Sequence, residues 1–464
     1  MGQQGMIRLP TRLLRWAMLG LVLAFAAVQP AAAQSILRDS ETELMFRDIS
    51  RPLIQASGLD PANVKIVLIN DDEIQAFVAG GQIVYIHSGL ITRADNANQL
   101  QGVIAHELGH VAGGHIIRIG EGAKAATGIT LLSLVLGAAA IAAGAPDAGM
   151  GIIMAGQRAA MGNFFAFTRA QESSSDLAGA SYLSKAGISG KGSLEFFKKL
   201  QNQEYRLAVY AKDSYDRTHP LSSERIESLT QIYKKDPAWD KPTDPATEAR
   251  FQRVKAKLIG FVNAKNAVTF YPESDQSVPA HYARAYAYHL GAYPEKALSE
   301  ADALLAIAPN DPFFLELKGQ ILLESGRPKE AIPVLRQSVA QAPDQPMISV
   351  MLGHALIATE DAKNFAEAKQ VLKVAVNRDN DNPFAWMQLG IVYDREGDRP
   401  RAALATAERN NLEGKPRLAL VSARTAMAGI PRGTPDFLRA QDIALVSCAE
   451  LKKDKKDKRL NCET

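Results

Sequence analysis

Gln99-Leu-Gln-Gly-Val-Ile-Ala-His106-Glu107-Leu108-Gly109-His110-Val111 is the stretch on which the reading of this chain turns. Its apolar residues follow a helical pattern, and an i, i+4 pair on a helix turns both imidazoles to one face, where they can hold a single Zn²⁺. Glu107 then projects close enough to deprotonate a metal-bound water. That is the chemistry of peptide hydrolysis: the metal lowers the pKa of water from 15.7 to about 7 and polarises the scissile carbonyl, while the carboxylate accepts and later delivers the proton. His115, five residues past His110, falls at the wrong angle for the same ion and reads as a helix-end or surface histidine.

Two histidines leave a tetrahedral zinc short of a third protein ligand. Arg169-Ala-Gln-Glu172-Ser-Ser-Ser-Asp176-Leu-Ala-Gly-Ala supplies one, because Glu172 and Asp176 are again four apart and a helix aims both at one site. Glu172 is expected as the third ligand and Asp176 as the acceptor that orients a ligand imidazole. Upstream, the apolar residues of Ile74 to Ile86 flank Gly80-Gly81, a β-hairpin signal. A strand at the edge of a sheet beside a zinc site suits an endopeptidase, since an extended substrate can add to it through backbone hydrogen bonds.

With these residues in place, the first half of the chain resembles the HtpX and CAAX prenyl protease superfamily of gluzincins, and the repeats that follow make it most similar to the periplasmic, TPR-containing members. The resemblance runs through Ile74-Gln-Ala-Phe-Val-Ala-Gly-Gly-Gln-Ile-Val-Tyr-Ile-His-Ser-Gly-Leu-Ile91, the zinc motif, the Glu172/Asp176 segment and Thr218-His-Pro-Leu-Ser-Ser-Glu-Arg-Ile226, covering most of residues 40 to 230. It implies a zinc metalloendopeptidase with one Zn²⁺ per chain, held by His106, His110 and Glu172. It also sets His219 and Arg225 over the metal. Two roles stay open for His219: a hydrogen-bond donor to the tetrahedral intermediate, or a ligand in the fourth position that displaces the catalytic water in a latent enzyme. Arg225 is expected as a charge stabiliser near the oxyanion. The family usually carries Asn where this chain has Gln75, one methylene longer.

The rest of the chain frames this domain. Arg8, Arg12 and Arg15 precede an apolar run from Trp16 to Val28 and the small-residue stretch Ala31-Ala-Ala33, the pattern of a secretory signal over 1–33. The metalloprotease domain is expected over 34–265. An apolar insertion lies at about 123–162, with no charge between Lys124 and Asp147. It reads as a helical hairpin or lid, over the cleft or against a membrane or partner surface; whether 127–145 enters the membrane stays open. A linker over 266–279 precedes a repeat domain over 280–464. There Gly319 to Gly353 and Pro309 to Pro343 each span 34 residues, the tetratricopeptide period, although the glycine intervals from Gly291 to Gly319 and from Gly353 to Gly390 are 28 and 37. The two cysteines, Cys448 and Cys462, are either a terminal disulfide or two free thiols. With 53 basic against 50 acidic side chains, no field recruits nucleic acid or an anionic membrane.

The fold class that follows is mainly α: a gluzincin-type domain with a small β-hairpin or sheet, then an α-solenoid of TPR-like helical pairs. The function that follows is an exported, periplasmic zinc endopeptidase of envelope proteins, possessing repeats that bind protein substrates and envelope assembly machinery. The competing reading is a periplasmic chaperone or assembly factor for outer-membrane proteins with a latent zinc site.

Overall fold

The computed structural model describes residues 35–143, 145–207, 219 and 222–453; the expected signal segment 1–33 and Cys462 lie outside the described residues. Cys448, inside them, is buried and disulfide-bonded. A short strand β1 (Ser35–Leu37) leads into helix α1 (Ser40–Ser57), and short, continuous runs of apolar, largely β-branched and aromatic side chains make strands β2 (Lys65–Asn70), β3 (Ala76–Ala79) and β4 (Ile83–His87). The sheet order is β1-β2-β4-β3, with β2 and β4 parallel and the other pairs antiparallel. β3 and β4 form the hairpin expected around Gly80-Gly81, both at positive φ, and β3 is an edge strand.

After α2 (Ser88–Arg93), helix α3 (Ala97–Ala112) carries the zinc motif, and Asn96 caps its first turn by accepting the Gln99 N–H. Helices α4 (His115–Ala142) and α5 (Pro146–Ala186) follow, then α6 (Lys191–Leu207), α7 (Ser223–Lys234) and α8 (Pro245–Val262). One core joins Met45, Phe46 and Leu53 of α1, Leu100 and Ile104 of α3, Phe196 and Phe197 of α6, Leu229 of α7 and Phe251 of α8. Burying side chains of this size contributes about 1.5–3 kcal/mol each, and the result fixes α3 between sheet and helices.

The insertion expected at 123–162 is a helical hairpin, but its helices do not stop at those bounds. α4 starts at His115, and α5 continues unbroken past Glu172 and Asp176, since no proline after Pro146 interrupts it. Small residues let the two helices touch: a Cβ on Gly137 would come within 2.7 Å of the Gly149 carbonyl oxygen.

Beyond α9 (Ala264–Phe270) stand five helix pairs: α10 (Val278–Leu290) with α11 (Pro294–Ile307), α12 (Pro312–Glu324) with α13 (Pro328–Gln341), α14 (Pro346–Ala358) with α15 (Phe365–Arg378), α16 (Pro383–Arg395) with α17 (Arg399–Leu412), and α18 (Pro416–Gly429) with α19 (Pro435–Lys453). Their first helices begin at 278, 312, 346, 383 and 416, so the steps are 34, 34, 37 and 33 residues. The long step holds a 3₁₀ turn at Ala362–Asn364 between α14 and α15, which explains the irregular interval. Gly291 is not an equivalent of Gly319: it caps the end of α10, whereas Gly319 and Gly353 lie inside their helices against Leu335 and Leu372.

The segment 266–279, read from sequence as a linker, is part helix and firmly anchored. The buried Arg284 guanidinium donates to the carbonyls of Pro272 and Asp275, both at 2.8 Å. A second anchor joins the start of α1 to the repeats. Arg253 bridges Glu41 (2.7 Å) and Asp311 (2.8 Å), Lys257 reaches Asp39 (2.5 Å), Tyr282 donates its hydroxyl proton to Glu41 (2.6 Å), and Ser40 donates to Glu316 (3.1 Å).

Candidate metal centre

Helix α3 delivers His106 and His110 one turn apart, and α5 crosses it closely enough to bring a second set of side chains to the same point. The close approach needs glycine on both helices: a Cβ on Gly109 would sit 2.8 Å from the Ser175 Cα, and one on Gly179 would sit 3.1 Å from the Ala105 carbonyl. Glu172 of α5 therefore reaches both imidazoles, and its Oε2 and Oε1 lie 3.4 Å from His106 Nε2 and His110 Nε2 respectively. The two Nε2 atoms are 3.1 Å apart. His219, just before α7, brings its Nδ1 to 3.3 Å from His106 Nε2 and 3.2 Å from Glu172 Oε1.

These five separations run from 3.1 to 3.4 Å. A tetrahedron with metal–ligand bonds of about 2.0–2.1 Å has edges of about 3.3–3.4 Å, so the His106, His110 and His219 nitrogens and the Glu172 carboxylate stand at spacings compatible with one Zn²⁺-sized ion. All four are buried. Among the described residues one other group, Asp71, Glu73 and His87, has comparable spacing, but only its histidine is buried. The chemistry of the first set, three imidazoles and a carboxylate enclosed by protein, suits zinc.

The side chains behind these four are as ordered as the ligands. His106 Nδ1 lies 3.0 Å from Asp176 Oδ1, which favours the tautomer with a free lone pair on Nε2. Arg225 grips that aspartate twice, Nε to Oδ2 at 2.7 Å and Nη2 to Oδ1 at 2.9 Å, and Nη2 also stands 3.2 Å from Glu172 Oε2. Burial works against the charge of Asp176, but Arg225 and His106 hold its carboxyl below the usual range. Glu172 is likewise held low, burial being outweighed by His106 and His219. Burial opposes a charge on His106 too, yet Asp176 and Glu172 push it up to about 10, whereas burial and the neighbouring His106 and His219 take His110 down to about 2. The two carboxylates, Glu172 and Asp176, favour a positive charge at this point, which a proton on His106 or a cation held by its Nε2 lone pair can each supply.

Glu107 is fully buried, and neither of its carboxylate oxygens has a hydrogen-bond partner among the described residues. His219 Nε2 is 3.6 Å from its Oε1. Burial raises its pKa against the pull of His219 and His106, the direction that suits a group exchanging protons near neutral pH.

His115 is the residue that sequence reasoning undervalued. It does open a helix, but it is buried rather than on the surface, and its Nδ1 lies 2.9 Å from His110 Nδ1 and 3.1 Å from Ser175 Oγ. It orients His110 as Asp176 orients His106. The only trace in the sequence was its place right after Gly113-Gly114, where a turn returns the chain towards α3. Gln75, just before edge strand β3, is buried, and its side-chain oxygen accepts from the Ala76 N–H at 3.2 Å. In the repeats the buried polar cluster of His281, Arg284 and Glu300 is a closed ion-paired group that holds the preceding segment.

Compared with known proteins, residues 40–233 match the model of peptidase family M48. The chain is 27% identical over 382 residues to the beta-barrel assembly-enhancing protease of Yersinia pestis, covering 80% of this chain and 76% of that protein. The protein of the same name from Escherichia coli strain K12 is also 27% identical, over 79% of this chain and 75% of its own length. A solved TPR protein with an unusual peptide-binding site, YrrB, is 20% identical and covers 38% of this chain and 91% of its own, with a TM-score of 0.31; the repeat assignment rests on the helix pairs themselves.

Proposed function

Because residues 40–233 are a peptidase family M48 domain and the chain is a metalloendopeptidase, we propose that it is a zinc enzyme that cleaves exported proteins of the cell envelope, in the assembly or quality control of outer-membrane β-barrels. The observation that carries this reading is the convergence of His106, His110 and Glu172 beside a buried Glu107 whose carboxylate oxygens accept no hydrogen bond among the described residues. A zinc ion held there supplies Lewis-acid polarisation of the peptide carbonyl and activation of water. Glu107 takes the proton of the attacking water and returns it to the leaving amine. Asp176 and His115 hold the two ligand imidazoles in orientation, and Arg225 holds Asp176 and Glu172 together. Arg225 thus acts as a positioning residue on these contacts, in place of the oxyanion role expected from sequence.

Edge strand β3 offers backbone groups to an extended substrate, and the concave face of the repeats offers a second, selective hold on clients or envelope assembly machinery. The exposed apolar hairpin α4–α5 is suited to contact with a membrane surface. One observation favours the second reading, a chaperone or assembly factor with a latent zinc site: His219 Nδ1 lies 3.3 Å from His106 Nε2 and 3.2 Å from Glu172 Oε1, where it would serve as a fourth ligand in the place a catalytic water needs. Both readings combine in an enzyme held latent until His219 withdraws from the other three side chains. In intact cells, the Glu107→Gln chain should retain crosslinked β-barrel proteins of the outer membrane. Capture of cytoplasmic proteins alone would contradict the reading.

A further inference from the structure

The hairpin α4–α5 exposes what a water-soluble fold normally hides. Helix α4 is long and apolar enough to cross a membrane, yet only 11% of its most apolar stretch is buried. Leu131, Leu132, Val135, Leu136, Met150 and Met154 are each more than half exposed. On a helix of 3.6 residues per turn, the four on α4 cover an arc of about 140°, and Leu134 and Ile141, each 41% exposed, extend it to about 220°; Ser133 and Gly137, which meet α5, lie on the remaining side. A partner groove is satisfied by one apolar stripe, and a helix lying flat on a bilayer keeps a polar face towards water. An apolar surface around most of the circumference fits immersion in lipid.

Charge placement sets the depth. Tipward of Lys124 there is no charged residue on α4, and on α5 there is none between Asp147 and Arg158. Gly156 packs on Ser133, so Arg158 stands level with the turn of α4 around Leu131. The twelve steps from Pro146 to Arg158 make a prong of roughly 18 Å at 1.5 Å per residue, uncharged from Ala148 to Gln157, against about 15 Å for half of a 30 Å hydrocarbon core. Complete crossing would draw Arg158 to the middle of the bilayer. Entry to the level of Arg158 carries Asp147, the single charge on the prong, towards that middle, but Asp147 lies in the first turn of α5, where unpaired backbone N–H groups favour a carboxylate, a compensation that Arg158, inside the helix, lacks.

We propose that the hairpin enters one leaflet of a lipid bilayer tip first, to the level of Arg158, and does not span it. Since α5 is one continuous helix, Glu172 then stands no more than about 21 Å above that level, fourteen residues further along at 1.5 Å each. His115 at the base of α4 and Glu172 and Asp176 on α5 tie both arms of the hairpin to the metal centre. The device selects segments emerging within that distance of the membrane. This last clause rests on the protease reading; the depth of insertion does not.

Nitroxide labels on the full mature chain measure that depth. Leu136→Cys, Met154→Cys and Lys124→Cys proteins are mixed with phosphatidylethanolamine–phosphatidylglycerol vesicles, and collisions with dissolved oxygen and with a water-soluble nickel complex are compared. Labels at 136 and 154 should lose their nickel collisions and gain oxygen collisions, while the label at 124 stays accessible to nickel. Ala145→Cys should fail to react with an impermeant maleimide trapped inside the vesicles. Leu132→Glu combined with Val135→Glu should abolish flotation with vesicles while the metal content and hydrolysis of a soluble peptide persist. Unchanged nickel access at 136 and 154 would overturn insertion; protection without vesicles and a doubled mass would assign the surface to a second copy; reaction of residue 145 from the vesicle lumen would replace one-leaflet insertion by a span.

Discussion

Replacing His219 with alanine tests the latent state at its hinge point. The substitution removes an imidazole whose Nδ1 stands 3.3 Å from His106 Nε2 and 3.2 Å from Glu172 Oε1, and whose Nε2 stands 3.6 Å from Glu107 Oε1. On the proposed reading the first two distances would let the ring hold a bound ion at the corner that water must take. The rate of such an enzyme is its intrinsic rate multiplied by the fraction in which that corner is open. A preference for the closed state of about 1.4–2.8 kcal/mol leaves roughly 10% to 1% competent, so His219→Ala should raise the rate about 10- to 100-fold. The assay is cleavage of an unfolded, internally quenched peptide, with elemental analysis alongside. His106, His110 and Glu172 remain, so the metal should remain. A fall of about 10²-fold with metal retained would refute latency and make His219 a donor to the oxyanion.

The remaining predictions follow from the same contacts. Arg225→Ala frees Asp176 and Glu172 from a shared cation and should weaken metal affinity about 10- to 100-fold, read by competition with a chelator, with Lys restoring only part because it lacks the two-pronged grip. His115→Ala should cost a similar factor through His110, and unchanged metal affinity would reduce His115 to packing. Glu316, buried between α1 and the repeats, is pushed up to about 8 by burial against the pull of Lys257. Unfolded, it titrates near 4.3. Between those values the folded chain keeps a proton that the unfolded chain releases, so stability should fall as pH rises from about 4 to 8. Glu316→Gln should flatten that decline in urea melts, and an unchanged pH dependence would remove Glu316 as its source.

Most of the site was legible because its spacing is local. His106, Glu107 and His110 share one helical turn, as do Glu172 and Asp176, and a period of 3.6 residues is enough to aim each pair. The repeats were legible for the same reason, apart from the 3₁₀ turn at Ala362–Asn364 that stretched one step. What escaped depends on chain segments meeting at a distance. His115 becomes a partner of His110 only because the chain turns at Gly113-Gly114 and α5 brings Ser175 behind it. Arg225 was placed over the metal, but its grip on Asp176 joins residues 49 apart. The clamp of Glu41 by Arg253 and Tyr282 has no local signature at all, and it makes removal of 280–464 a structural injury, since Glu41 would lose the Tyr282 hydroxyl. Nor does hydropathy reveal that α5 is a single rod from the hairpin tip to the ligands.

The central claim, that Glu107 drives peptide hydrolysis at a metal held by His106, His110 and Glu172, is tested most directly by Glu107→Gln, made both alone and with His219→Ala. Glutamine keeps the shape and burial of the side chain but cannot take a proton. One zinc per chain should persist by elemental analysis, while peptide hydrolysis falls by about 10²- to 10⁴-fold in both backgrounds. Hydrolysis undiminished by Glu107→Gln, with zinc in place, would contradict the account.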